Sequence, residues 1–264
     1  SLDVKKGEIL AIAGESGCGK STLARAILRL ENSKSGEIDF EGKNILKFNS
    51  AELKKYRQNA QMIFQNPYAS LNPKMKVSEI LKEPLQINTK FSNKEIDKII
   101  DEKLEQVGLS NEVLKLYPHE FSGGQRQRIA IARALVLSPK FIVADEPVSA
   151  LDVSIQAQII NLLKELKDNF NLTLILITHD MSVIKYLADR VAVMYLGEIV
   201  EVGRCDEIFT APKHPYTQAL LSAVPQLVED EKERIVLGGE LPSPSNLPVG
   251  CNFHTRCRKW FERC

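Results

Sequence analysis

The sequence predicts an α/β fold in which helices cover both faces of a parallel sheet. Three observations lead there. Apolar runs of strand length recur at residues 7–13, 141–144 and 172–178. Segments with apolar residues at helical spacing lie between them. A glycine-rich run joins the first strand to a segment of helical composition. Strands that alternate with helices pair in parallel, because each return to the sheet is made by a helix packed on its face.

Residues 7–13 form the first buried strand. Gly14-Glu15-Ser16-Gly17-Cys18-Gly19-Lys20-Ser21-Thr22 follows and fits G-x-x-x-x-G-K-S/T, the phosphate-binding P-loop. Its glycines let consecutive N–H groups turn toward one anion with no Cβ in the way. Lys20 supplies a cation for the β- and γ-phosphates, and the Ser21 hydroxyl is placed to hold Mg²⁺. Residues 23–30 read as a helix whose N-terminus points at the phosphates. An ordinary glycine turn is the plain alternative, and the strand and helix on either side argue against it. Residues 35–42 read as a strand entering a turn. Residues 66–140 change character: Ile96, Ile99, Ile100, Leu104 and Val107 follow helical spacing and mark a helical insertion. After the strand at 141–144, residues 155–170 form an amphipathic helix with Ile159, Ile160, Leu163 and Leu166 on one stripe. A buried strand at 172–178 and a helix at 181–188 complete the alternation. Beyond residue 205, Pro212, Pro215, Pro225, Pro242, Pro244 and Pro248 favour an irregular appendage over more core.

At 264 residues the chain suits one large domain or a core with appendages. A net charge of +1 gives no bulk attraction to nucleic acid or anionic membrane. No apolar run reaches membrane-spanning length, and no signal peptide is expected. Ser1 falls just before a core strand and the chain stops on Cys264, so both ends are expected to be trimmed from a longer natural protein. Cys18 lies in the glycine loop, Cys205 stands apart, and Cys251, Cys257 and Cys264 cluster at the end. A reducing compartment suits a nucleotide-binding protein, so structural disulfides are not expected.

Two further groups carry chemistry. The strand at 141–144 runs into Asp145-Glu146, at the sheet edge where open α/β folds place their ligands. Asp145 suits Mg²⁺, a hard ion that prefers oxygen. Glu146 suits a general base that polarises the attacking water. Phe121-Ser122-Gly123-Gly124-Gln125 precedes a helix carrying Arg126, Arg128 and Arg133. It reads as a second anion-binding helix start or as a plain helix cap. One nucleotide cannot easily fill both anion sites of one chain, whereas a second copy can supply the missing half.

With these motifs in order, the sequence resembles the ATP-binding cassette family. The signature is usually Leu-Ser-Gly-Gly-Gln, and Phe121 stands here in place of the Leu. Gln65 resembles the Q-loop glutamine, which senses Mg²⁺ and the membrane partner. Ser149-Ala150-Leu151-Asp152 resembles the D-loop and His179 the switch histidine. The resemblance implies a RecA-like nucleotide-binding core over 1–65 and 141–205, a helical signature subdomain over 66–140, and an extension over 206–264. It implies ATP and Mg²⁺ as ligands. Gly14, Ser16, Gly17, Cys18, Gly19, Lys20, Ser21, Thr22 and Gln65 would contact ATP, and Ser21, Gln65 and Asp145 would hold Mg²⁺. Glu146, His179 and Lys20 would carry catalysis, while Ser122, Gly123, Gly124, Gln125 and Asp152 would reach ATP across a head-to-tail dimer. An aromatic residue that stacks on adenine normally lies upstream of the first strand, and this chain starts too late to contain it.

Within the family, residues 64–75 and Tyr117-Pro118-His119-Glu120 resemble the oligopeptide and dipeptide importer ATPases, close relatives of nickel importers. So do residues 214–221 and Leu241-Pro242-Ser243-Pro244. The implied setting is peripheral, at the cytoplasmic face of the cell membrane. The implied partners are a second ATPase subunit (the same or different), integral permeases and, indirectly, an extracytoplasmic solute-binding protein, with no nucleic acid. The cysteine spacing C-x5-C-x6-C leaves free thiols, a zinc site or iron–sulfur ligands open. Gly250-Cys251-Asn252-Phe253-His254-Thr255-Arg256-Cys257 fits the subfamily pattern, which implies a 4Fe-4S cluster on Cys251, Cys257, Cys264 and a fourth ligand further along. Arg258 departs from the proline usual there. Competing functions are an importer ATPase for nickel or another small solute, a soluble cassette ATPase acting on DNA or ribosomes, and a regulatory subunit that binds ATP without hydrolysing it. Neutral charge and a single nucleotide domain disfavour the soluble ATPase. The intact Lys20, Glu146, Ser122 and His179 disfavour the regulatory subunit.

Overall fold

The computed structural model describes residues 1–224, 235–239, 242–243, 246–262 and 264. Pro225, Leu241 and Pro244 of the expected tail lie outside the described residues. Along the chain run strands β1 (Ile9–Ala13), β2 (Asp39–Phe40), β3 (Lys43–Asn44), β4 (Ala60–Ile63), β5 (Phe141–Asp145), β6 (Thr173–Ile177), β7 (Arg190–Tyr195) and β8 (Glu198–Arg204). The chain forms two compact units, one of residues 1–4, 8–23 and 176–264, the other of residues 5–7 and 24–175.

In the first unit β1 is wholly buried and runs parallel to β7, with Leu10 opposite Arg190 and Ala13 opposite Val193. A strand apolar on both faces is what a parallel sheet covered on both sides requires. β8 returns antiparallel to β7 through Leu196 and Gly197, both at positive φ (43° and 83°). That is the backbone of a two-residue hairpin turn matched to strand twist. The helix Met181–Leu187 starts at Asp180, whose carboxylate accepts the N–H groups of Ser182 and Val183. The proline-rich stretch expected to be irregular contains two short helices, Cys205–Thr210 and Pro215–Ser222. Its Cys205, Ile208, Tyr216 and Phe253 share one buried cluster with Ala11, Val193 and Tyr195. Burial of large apolar side chains, at about 1.5–3 kcal/mol each, outweighs the preference of proline for loops.

In the second unit β4 and β5 pair in parallel, Ala60 opposite Phe141. The strand expected over 35–42 shrinks to β2, which turns into β3 through Glu41 and Gly42 at φ 50° and 77°. Four helices, Ser50–Asn59, Val77–Asn88, Asn93–Gln106 and Gly123–Leu135, each begin with a Glu or Gln side chain reaching back to the cap N–H. Ile96, Ile100, Leu104 and Val107 are buried as the period predicts. The helix Val153–Phe170 buries Ile159, Leu162, Leu163 and Leu166 and ends at Asn171 in the left-handed conformation. Among the described residues no helix is long and apolar enough to cross a membrane.

Candidate nucleotide site

The glycine loop leaves β1 at Gly14, where an added Cβ would collide with the Met194 carbonyl oxygen and meet Cys18 Sγ. Gly17 and Gly19 have φ of 82° and 105°, so the loop needs glycine at both positions. Its middle is pinned by the hairpin, with Gly197 N–H donating to the Cys18 carbonyl at 2.8 Å. The helix Lys20–Ile27 starts earlier than composition indicated, because the loop itself winds into the first turn. It closes on Arg29 in the left-handed region: Leu30 N–H bonds Arg25 O, Arg29 N–H bonds Ala26 O, and the guanidinium donates to Ile45 O at 2.6 Å.

Lys20 is buried, and its ammonium donates to the carbonyls of Gly14 and Glu15, each at 2.8 Å. It also donates to Cys18 Sγ at 3.7 Å. A buried cation held by neutral groups, with no carboxylate among these partners, suits an anion, so the loop fits a triphosphate. Burial pushes the Cys18 thiol up, so it remains a packed thiol rather than a thiolate. Ser16, Gly17 and Thr22 are exposed and Ser21 is half-buried. In the same unit His179 is exposed at the turn from β6 into the helix Met181–Leu187, between the buried Thr178 and the capping Asp180. Thr178 Oγ1 accepts the Asp180 N–H at 3.1 Å.

The other unit brings Gln65 and Glu146 together, with Gln65 Nε2 donating to Glu146 Oε2 at 2.8 Å. Asp145 is the buried last residue of β5. Its carboxylate offers the hard oxygen donors that Mg²⁺ prefers. Glu146 sits at φ 45°, a left-handed conformation that the sequence did not signal. Ser122 caps the helix Gly123–Leu135, its hydroxyl accepting the Gln125 N–H at 3.3 Å while Gln125 Oε1 accepts the Ser122 N–H at 3.1 Å. Phe121 is buried, so the substitution in the signature fills a core position. A Cβ on Gly123 would lie 3.2 Å from Leu151 Cδ2 and one on Gly124 2.5 Å from Ile155 Cγ2, so both glycines are also packing residues. Ser122, Gln125, Ser149, Ala150 and Asp152 are exposed, and Asp152 makes no side-chain bond to the helix it precedes.

The arginines after the signature are structural. Arg126 is buried, donates to the carbonyls of Pro118 and His119, and lies 4.0 Å from the Tyr68 ring centre. Arg128 donates to Val107 O and Arg133 to Ser70 O, each at 2.7 Å. Arg133 also lines an open groove of about 290 Å³ with Phe64, Pro84, Ile87, Ala130 and Leu137.

The terminal cysteines bear on the cluster expectation. All five cysteines are free thiols. Among the described residues no group of three or more His, Cys, Asp and Glu side chains is placed to hold a metal. Cys251, Cys257 and Cys264 are not gathered into such a group, so the expected iron–sulfur cluster finds no support among the described residues. Cys251 and Cys264 meet through the main chain, N–H to carbonyl at 2.6 Å, with Cys251 exposed. Cys257 instead packs against the buried apolar cluster.

Residues that sequence reasoning missed also come to the loop. Tyr216 and Arg256, from the extension, both bond Glu15. Only the burial-prone aromatic character of Tyr216 hinted at it.

A P-loop, a strand ending in Asp-Glu and a serine-glycine signature helix define a nucleotide-binding protein of the cassette type. Residues 1–149 match the family described as "ABC transporter". The chain belongs to that ATP-binding cassette family. Residues 200–264 match "Oligopeptide/dipeptide transporter, C-terminal region". The chain is 52% identical to the dipeptide transport ATP-binding protein DppF of Escherichia coli, over 100% of this chain and 79% of that one. It is 54% identical to the oligopeptide transport ATP-binding protein AppF of Bacillus subtilis, over 97% and 79%. Among solved structures, it resembles the dimeric ATP-binding cassette MJ0796 bound to ADP and Pi (TM-score 0.69, 32% identity, 77% of this chain and 88% of that one). It also resembles cbiO1 of Clostridium perfringens, part of a cbiONQ transporter complex (TM-score 0.72, 31% identity, 80% and 82%).

Proposed function

We propose that this chain is the ATP-hydrolysing subunit of an importer of dipeptides or oligopeptides. It works as a dimer at the cytoplasmic face of the membrane, with integral permeases that receive peptide from an extracytoplasmic binding protein. The observation that carries the reading is one chain holding both an intact phosphate loop and the C-terminal region of peptide transporters. Functional division follows the sequence boundaries: core over 1–65 and 141–205, signature subdomain over 66–140, extension over 206–264.

Gly14, Ser16, Gly17, Cys18, Gly19 and Thr22 surround the phosphates with N–H groups, and Lys20 neutralises charge on the transferred phosphoryl group. Ser21, Gln65 and Asp145 hold Mg²⁺, which spreads phosphate charge when bound. Glu146 orients water and takes its proton. His179 donates to the γ-phosphate oxygens. Ser122, Gly123, Gly124, Gln125 and Asp152 serve the nucleotide of the facing copy, which the exposure of Ser122, Gln125 and Asp152 permits. The groove beside β4, which precedes Gln65, is lined by apolar residues together with Arg133 and Glu83 and is the docking place for a permease segment. The iron–sulfur assignment rests on sequence pattern alone, and no step of the cycle uses it.

Reconstitution into vesicles with the cognate permeases and binding protein tests the reading. Peptide should stimulate ATP hydrolysis and enter the vesicles, and both should stop in Lys20→Ala. Uptake of nickel without peptide would replace the cargo. Hydrolysis indifferent to any permease would overturn the transport role.

A further inference from the structure

The C-terminal extension reaches into the phosphate loop at Glu15. Arg256 Nη1 and Nη2 donate to the two carboxylate oxygens of Glu15, at 2.7 and 3.2 Å. The Arg256 side chain is only 8% exposed and that of Glu15 27%. Arg256 Nε also donates to Gly238 O at 3.3 Å, which fixes the other edge of the fork. A second bond lands on the same residue, with the Glu15 N–H donating to the Tyr216 hydroxyl at 2.8 Å. Tyr216 is fully buried and packs against Tyr195 and Phe253, with ring centres 4.7 and 5.4 Å away. Glu15 is thus held through its backbone and its side chain, and its carbonyl in turn accepts from Lys20 Nζ.

The electrostatic consequence follows from where Glu15 stands. It is a carboxylate inside a loop built to take up several phosphate charges of the same sign. Unpaired, it would repel the ligand, and its partial burial weakens screening by salt. A bidentate guanidinium both cancels the charge and fixes its position. The Glu15 carboxylate correspondingly raises the Arg256 guanidinium above its ordinary value.

We propose that Arg256 and Tyr216 are positioning residues for the nucleotide: the C-terminal extension neutralises and fixes Glu15, and so sets the affinity of the phosphate loop for ATP. This rests on the reading of residues 14–22 as the ATP loop. Order in the extension, including the segment that carries Cys257 next to Arg256, is therefore coupled to nucleotide binding.

Calorimetric titration of the full chain with Mg-ATP decides it. Arg256→Gln should weaken ATP binding by about tenfold, within the usual 5–150-fold range for such coupling, and more at low salt. Glu15→Gln breaks the same ion pair from the other side, removes the repelling charge, and should tighten ATP binding. A pair that only staples the fold would make both variants bind worse. Arg256→Lys should fall between wild type and Arg256→Gln. If Arg256→Gln melts early, Arg256→Lys together with Tyr216→Phe, which removes only the acceptor for the Glu15 N–H, carries the test by a raised Kd for ATP. Wild-type affinity in these Arg256 and Tyr216 variants, or equal weakening in Arg256→Gln and Glu15→Gln, overturns the proposal while leaving the ATPase reading intact. Failure of the wild type itself to bind ATP removes both.

Discussion

Glu146 combines two features that rarely meet by accident. Its backbone is left-handed, at φ 45°, a conformation that costs a side-chain-bearing residue about 1–3 kcal/mol. Its carboxylate is held by Gln65 Nε2 at 2.8 Å. Glu146 stands immediately after the buried strand β5. Glu146→Gln preserves shape and hydrogen bonding but removes the carboxylate proposed as the base. It should keep ATP affinity and lower the rate of phosphate release by about 10²–10⁴-fold. Turnover near the wild-type rate in a phosphate-release assay would take Glu146 out of that role. The carboxylate itself was legible as one member of an Asp-Glu pair after an apolar strand. Its strained backbone and its glutamine partner were not, because both depend on residues far apart in the chain.

The signature helix Gly123–Leu135 shows two demands on one sequence. Ser122 and Gln125 close a reciprocal cap, and Gly124 lets the helix approach Ile155 on the helix Val153–Phe170. Gly124→Ala should therefore lower stability by about 1–3 kcal/mol in denaturant melts, the usual cost of overpacking, and the added change Ile155→Ala should recover part of it. No recovery would mean that the glycine is needed only for phosphate. A different device starts the helix Pro215–Ser222, where His214 Nδ1 accepts the Tyr216 N–H at 3.2 Å, as only the neutral ring can. Burial pushes His214 below its ordinary value of 6.5, with Glu201 pulling the other way. The unfolded chain then binds the proton before the folded chain does. Stability is complete above the unfolded value and falls as pH drops through the folded one. His214→Asn retains a capping oxygen, and its melting temperature should fall less on acidification than that of wild type. Parallel curves for the two proteins would exclude His214 as the cause.

For the protein as a whole, the proposed dimer requires Ser122 and Asp152 to be reachable by a second copy, and both are exposed. With Mg-ATP, the Glu146→Gln protein should double in mass by light scattering, and it should be monomeric without nucleotide. A mass unchanged at saturating ATP would end the shared-pocket account. Residue types at short spacing were enough to read the phosphate loop, the carboxylate pair, the signature and their order. In such motifs the local turn or helix cap places the groups, and nothing distant is needed. The same holds for the buried strands and amphipathic helices, whose periods record which face meets the core. Folding was needed to bring Tyr216 and Arg256 to Glu15 across separations of 201 and 241 residues, and to turn a proline-rich tail into part of the core. It was also needed to pack Cys257 against the core while Cys251 stays exposed. Contacts of that kind leave no period and no local pattern, because packing energy depends on which surfaces meet and not on the order in which the chain presents them.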